Sequence, residues 1–336
     1  MLKYIGKRLL LLIPTLLGIS LVVLILIDLT PGDPARMLLG ATATEEQVQE
    51  LRDDLGLNDP FLVRYWNFIS GVCTGDFGKS IMTKRPVFTE MMARFRYTLL
   101  LVTFGTVFSV LVGIPVGIYA ARHQHSWKDN AAIFLSLIAV SMPSFWFALL
   151  MIRYFGVKLR VLPISGVSTW TGWILPCVTM ALGLIALIAR QMRSDMLEVL
   201  RSDYITTARS KGLPERKVVY RHALKNAMIP VIMVIGGVFG SSLGGSLITE
   251  VIFSIPGLGQ YIMTGLNNRD YPVIQSGILI ISAMFAVIIL IVDIVFALVD
   301  PRIRLQYSRK RSKKKSDKDG GSGDAEKEKE EAVTAA

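Results

Sequence analysis

The sequence predicts an all-α membrane protein of six transmembrane helices, with a small extracytoplasmic subdomain after the first helix. Three observations predict it. Six apolar segments are each long enough to cross a hydrocarbon core of roughly 30 Å. Basic residues gather in alternate loops, which marks a cytoplasmic side. The stretch 30–97 is mixed in charge and carries helix-capping signals instead of a span. Composition agrees: 52% of the 336 residues are hydrophobic and mean hydropathy is +0.49, an average that soluble domains rarely reach. A net charge of +11 would suggest nucleic acid for a soluble chain, but membrane proteins collect Lys and Arg on the cytoplasmic side. Membrane lipid, not nucleic acid, is the expected neighbour.

Residues 1–29 form the first element. Lys3, Lys7 and Arg8 precede an apolar run from Leu9 to Leu29. The run is too long for the core of a signal peptide and no clean small-x-small cleavage site follows, so it reads as a retained helix. In 30–97, Thr44-Glu-Glu-Gln47 is a capping box followed by Val48, Leu51 and Leu55 on one face and a Gly56 stop. Pro60 opens a second helix with Phe61, Leu62, Tyr65, Trp66 and Ile69, an aromatic set suited to an interface.

Residues 98–301 supply the other five spans, near Thr98–Ala121, Ala131–Phe155, Trp173–Ala189, Ala227–Val251 and Val273–Val299. Pro115 and the string Ser141-Met142-Pro143-Ser144 break helix regularity. A freed carbonyl is tolerated beside protein or a water-filled cavity, so Ser141, Ser144 and Trp146 are candidate pathway residues; simple kinks fit equally well. In the fifth span Gly236, Gly240 and Gly244 recur every four residues, as do Gly237, Ser241 and Gly245. Such rows let helices approach closely or leave room beside a pathway. Gly240, Ser241 and Gly244 are the pathway candidates, with internal packing the competing explanation. Residues 302–336 hold a basic block, Arg309 to Lys315, then Gly, Ser, Lys and Glu, which predicts a disordered charged tail whose basic part meets headgroups.

Orientation follows from the short loops. Lys3, Lys7, Arg8, Arg122, Lys128, the segment Arg190–Lys225 and the tail fall on one side, against only Lys158, Arg160 and the balanced Arg269-Asp270 on the other. Both termini are therefore expected in the cytoplasm. Arg153 lies near the outer end of the third span, where it can snorkel.

Chemistry is hard to find. Cys73 and Cys177 sit in different environments, which argues against a disulfide. His123-Gln-His125 lacks a third ligand, so no metal site is expected. Gly78-Lys79-Ser80 resembles the end of a phosphate loop, but Cys73 stands where the first glycine belongs. Asp76-Phe77-Gly78 has no companion kinase motif, and no H-E-x-x-H occurs. A gradient-driven carrier keeps ionisable groups near the midplane. Here Asp28 and Glu250 are placed at outer ends, close to water. Asp293, about two turns from the inner end, is the main candidate for such a group, with a structural inner-end arginine partner as the competing explanation.

The most informative stretch is Asp203-Tyr-Ile-Thr-Thr-Ala-Arg-Ser-Lys-Gly212-Leu-Pro214. Ser202 or Asp203 caps a short helix to Lys211, Gly212 supplies a left-handed stop, and Pro214 opens a second helix, Glu215 to Lys225. The result is a stiff elbow between two spans, within a loop of about 190–226. Tyr204, Ile205 and Ala208 are expected to form its docking face, with Arg209 and Lys211 at the rim.

These residues resemble the ATPase-coupling loop of bacterial ABC importer permeases, with Ala208 and Gly212 in its best-marked positions. Thr206 and Thr207 depart from the Glu-Ala opening of that motif. Pro31-Gly32-Asp33-Pro34, Ser141 to Trp146, Leu162-Pro163, Phe253 to Gly259, Arg269 to Gln275 and Asp300-Pro-Arg302 are similar to the first permease subunit of dipeptide, oligopeptide and nickel importers. The resemblance implies a type I ABC importer permease fold and no enzyme activity in this chain. It implies a second homologous permease, two ATPase subunits that bind ATP and Mg²⁺, and an extracytoplasmic binding protein that delivers short peptides. It places Pro256, Gly257, Arg269 and Asp270 where that protein lands. Nickel or a metal chelate is the alternative cargo, and a lone gradient-driven transporter the alternative machine.

Overall fold

A computed structural model describes residues 2–30, 32–40 and 42–299, without the side chains of 2–5, 7, 293 and 295–299. The tail 302–336, the Asp300-Pro301-Arg302 string, Pro31 and the Asp293 side chain lie outside the described residues. The chain divides into two units, Met1–Leu290 and Ile291–Ala336. The first holds everything discussed below; of the second, the end of the last helix is described.

Helix α1 (Leu2–Leu29) is followed by α2 (Pro34–Leu39), α3 (Glu45–Asp54) and α4 (Phe61–Thr74). The capping box forms in full: Thr44 N donates to Gln47 Oε1 and Gln47 N to Thr44 Oγ1. Gly56 takes φ 65°. Helix α4 is fastened along α1. Arg64 grips Asp28 through two nitrogens (2.9 and 2.5 Å), and Tyr65 Oη donates to Leu17 O (3.0 Å).

Helix α5 (Val87–Arg122) begins well before Thr98, so the boundary expected there falls inside a helix. Glu90, Arg94 and Arg96 hide its first turns from a hydropathy reading, although Pro86 marks the start. Those charges are managed locally: Arg94 pairs with Glu90 and stacks 4.6 Å over the Tyr261 ring.

The third span is not one rod. Helices α6 (Trp127–Ser141) and α7 (Ser144–Met151, prolonged by a π-helical turn Ile152–Lys158) meet at 98°. Pro143 drives the preceding residue out of the helical region, and Met142 has ψ 120°. Helix α8 (Ile174–Leu200) runs on past Ala189, where its apolar stretch ends. Then come α9 (Asp203–Ser210), α10 (Glu215–Lys217), a π-helical turn Val218–Ala223 and α11 (Leu224–Gly245). Helices α12 (Leu247–Ile252), α13 (Leu258–Asn267) and α14 (Tyr271–Val299) close the fold. Among the described residues five helices are long and apolar enough to cross a membrane alone, or six if the bent α6–α7 pair is counted as one broken span.

The core is organised around α5 and α8. A Cβ at Gly117 would stand 2.6 Å from both Ala189 O and Met192 Cβ, so only glycine lets the two backbones come this close. The seam was legible in sequence and missed, since Gly105, Ser109, Gly113 and Gly117 recur every four residues just as the glycines of α11 do.

Candidate functional site

The elbow folds as its Gly and Pro dictate. Helix α9 ends at Ser210 with Lys211 as its C-cap, Gly212 takes φ 73°, and its N–H donates to Arg209 O (2.9 Å). Pro214 (φ −62°, ψ 140°) then opens α10. The start departs from expectation. Ser202 occupies the cap position, but its hydroxyl donates back to Val199 O (2.6 Å), and no side chain caps α9.

The docking face also needs correction. Ile205 is fully buried and Ala208 nearly so. Both enter a cluster formed by Ile118 and Ala121 of α5, Met192 and Met196 of α8, and Val218 and Val219 after α10. Apolar residues three apart on an otherwise polar helix mark the side that packs inward. The outward face carries Asp203, Thr206, Thr207, Ser210 and Lys211, all exposed. Tyr204 is exposed and its oxygen accepts from Asn226 Nδ2 (2.7 Å).

Arg209 closes the elbow from outside. Its Nη2 and Nε donate to Glu215 at 2.9 and 3.2 Å, across Gly212 and Pro214. Glu215 holds the Arg209 guanidinium even further above its usual range. Both side chains are about half exposed, so the pair contributes at most about 1 kcal/mol. Glu215 and Asn226 went unnoticed in sequence, although the opposite charges flanking Gly-Leu-Pro were a usable signal. Beside the pair lies a groove of about 350 Å³ lined by Arg122, Gln124, Arg201, Arg209 and Glu215.

The candidate pathway residues separate. Ser141, Ser144 and Trp146 surround the α6–α7 bend and are all exposed. Gly240 serves packing: a Cβ there would meet Ile289 Cδ1 at 2.5 Å. Ser241 and Gly244 instead open onto a largely apolar cleft of about 540 Å³ between α1, α11 and α14. The string Gly240-Ser241-Ser242-Leu243-Gly244 has the spacing of a hydrolase nucleophile turn, but it lies within α11 with Ser242 buried, and no strand precedes it.

At the opposite end of the bundle, the residues expected to meet a binding protein are mostly turned inward. Asp270 is 3% exposed. Its carboxyl accepts from Ser80 Oγ (2.5 Å), Ile81 N (3.0 Å) and Met82 N (3.4 Å), tying the turn before α5 to the start of α14. Arg269 (φ 52°) lays its guanidinium on Gly32, where a Cβ would be 2.1 Å from Cζ. Asp33, next to it, caps α2 through Ala35 N and pairs with Arg52. Gly257 is buried and Pro256 half-buried. Glu250, expected near water, is 0% exposed.

Comparison with known proteins gives concordant matches. Residues 113–305 match the family model "Binding-protein-dependent transport system inner membrane component", and residues 1–102 match that of its N-terminal part. The chain is 42% identical to the dipeptide transport system permease protein DppB of Alkalihalophilus pseudofirmus, over 90% of this chain and all of that one. It is 41% identical to the glutathione transport system permease protein GsiC of Escherichia coli, over 90% and 99% of the two chains. Among solved structures, an inward-facing form of the MetNI methionine ABC transporter aligns with a TM-score of 0.53 at 17% identity, covering 63% of this chain and 97% of that one.

Proposed function

The chain belongs to the binding-protein-dependent transport system inner membrane component family, and we propose that it forms half of the translocation pathway of an ABC importer for short peptides. It is a multi-pass membrane permease of the type I importer fold. A second, homologous permease supplies the other half of the pathway. Two ATPase subunits bind ATP and Mg²⁺ and do the hydrolysis; this chain carries no catalytic role. The N-terminus lies in the cytoplasm with the elbow, the region 30–97 lies outside, and a binding protein delivers cargo there. The 302–336 tail is assigned to the cytoplasm on its charge alone.

The observation that carries this reading is the two-sided build of α9. One side is sunk into the α5–α8 core through Ile205 and Ala208, and the other presents Asp203, Thr206, Thr207, Ser210 and Lys211. A helix anchored this way moves only with the spans beneath it, which is what a coupling contact requires. Short peptides are favoured over a nickel chelate because the relatives named above carry dipeptide and glutathione transport in their names.

The test is ATP-dependent uptake into vesicles that contain the chain with its neighbouring permease and ATPases. Labelled dipeptide, glutathione and a Ni²⁺ chelate are each offered with the cognate binding protein. Accumulation of either peptide, lost without ATP, is expected. Uptake of the chelate alone, or uptake that survives without ATPases, refutes the proposal.

A further inference from the structure

Glu250 is fully buried, and nothing in transport as described gives it a task. Its Oε1 accepts from Thr98 Oγ1 of α5 (2.7 Å) and from Ser246 Oγ between α11 and α12 (3.0 Å). Its Oε2 accepts from Gln260 N in the first turn of α13 (3.1 Å). Thr98 Oγ1 in turn accepts from Leu258 N (2.9 Å). One carboxyl group thus joins three parts of the fold, and among the described residues no Lys or Arg is paired with it.

The glycines of the neighbouring turn make room for that group. The three atoms nearest a Cβ at Gly257 would all belong to the Glu250 carboxyl, at 2.4 to 2.6 Å. A Cβ at Gly259 would stand 2.7 Å from Leu247 Cα and 3.1 Å from Glu250 Oε2. Neither glycine has a positive φ. Close approach, not backbone conformation, is therefore what each position demands.

We propose that Glu250 is a positioning residue: its carboxyl pins the α12–α13 turn to α5, and Pro256-Gly257-Leu258-Gly259 is glycine-rich to admit that carboxyl, not to offer a surface to another protein. The pin sets the start of α13, whose Leu258, Tyr261 and Ile262 pack with Val87 and Met91 of α5. Helices α5, α12 and α13 then move as one body. Removing the acceptor leaves the partly buried backbone N–H of Gln260 without its partner at the start of α13, a loss that costs more than the bond's net worth.

A double-mutant cycle tests this on the full chain with its partner subunits. Glu250→Ala, Gly257→Ala and the double variant are compared with the parent for ATP-dependent uptake and for the melting midpoint of the purified chain. Contacting residues couple, so Gly257→Ala is expected to lower uptake at least about fivefold in the parent and less than about twofold when added to Glu250→Ala. Equal losses in both backgrounds, or no loss in the parent, would overturn the proposal.

If Glu250→Ala does not accumulate, Thr98 carries the test. Thr98→Ser keeps the hydroxyl and is expected to keep uptake and melting midpoint, while Thr98→Val is expected to lose both; equal behaviour of the two overturns the pin. The uptake arm rests on the function proposed above, but the melting arm does not. An importer inactive even in the parent refutes that function and leaves the pin to be judged by melting.

Discussion

Arg193 of α8 holds Asp129 of α6 through two hydrogen bonds, Nε to Oδ1 at 2.5 Å and Nη2 to Oδ2 at 2.7 Å. The Asp129 side chain is 2% exposed and that of Arg193 23%. His125 N donates to the same carboxyl (3.1 Å), so the short loop after α5 is tied to α8 as well. Breaking a buried pair leaves a charge without compensation. Asp129→Ala should therefore cost about 3–5 kcal/mol of stability, while the apolar double variant Asp129→Leu with Arg193→Met costs much less. Melting midpoints of the purified variants check the order, and a double variant as unstable as the single one would contradict it.

Gly212 stands at φ 73° with open space where a Cβ would go. Strain at a side chain there is a matter of backbone alone. Gly212→Val should cost about 1–2 kcal/mol locally and weaken ATPase retention and uptake, while Gly212→Asn, which tolerates the left-handed region, keeps both. Copurification of the ATPases and uptake rates measure this at matched expression.

The two sides of α9 should fail differently. Ile205→Ala opens a cavity in the core and should cost about 2–5 kcal/mol. Thr207→Glu lies on the outward side and should change stability by less than about 0.5 kcal/mol, yet reduce ATPase copurification. If Thr207→Glu leaves copurification intact while Ile205→Ala abolishes it at full stability, the assignment of the faces is reversed.

Asp270 keeps the Ser80–Met82 turn in place. Asp270→Ala removes the acceptor for three donors, two of them backbone groups, and should expose the segment 78–86 to limited proteolysis. The loss should be about 1–3 kcal/mol per stranded buried group. Fragment mapping by mass spectrometry locates the cut, and cleavage elsewhere with this turn intact would count against the role.

Cys73 is exposed and Cys177 buried. A membrane-impermeant maleimide added to intact cells should label Cys73, because the region 30–97 is proposed to lie outside. Labelling only after permeabilisation would invert the topology.

Much of the fold was legible in sequence because its signals are local. Apolar length gave the spans, Thr44 with Gln47 gave the start of α3, and Gly212 with Pro214 gave the elbow. Pro143 signalled a break, but proline sets only the preceding dihedrals, so the 98° turn between α6 and α7 had to come from packing. Glu250 was misplaced for a related reason. It lies near the end of an apolar segment, which looks wet, and the hydroxyl that accompanies its burial is Thr98, 152 positions away. Ile205 and Ala208 were legible and misread, since their three-residue spacing marks a buried stripe as readily as a contact surface.

Helix α5 carries Thr98 toward one end and Ile118 and Ala121 toward the other. At 1.5 Å per residue these stations are about 30–35 Å apart on a single helix. The carboxyl pin and the socket of the elbow are thus mounted on the same axle. A twist of that axle reaches both mounts together, so coordination between the two ends of the bundle needs no chain of intermediary side chains. A substitution midway between the two mounts, at the buried Ser109, should then uncouple the two ends without touching either.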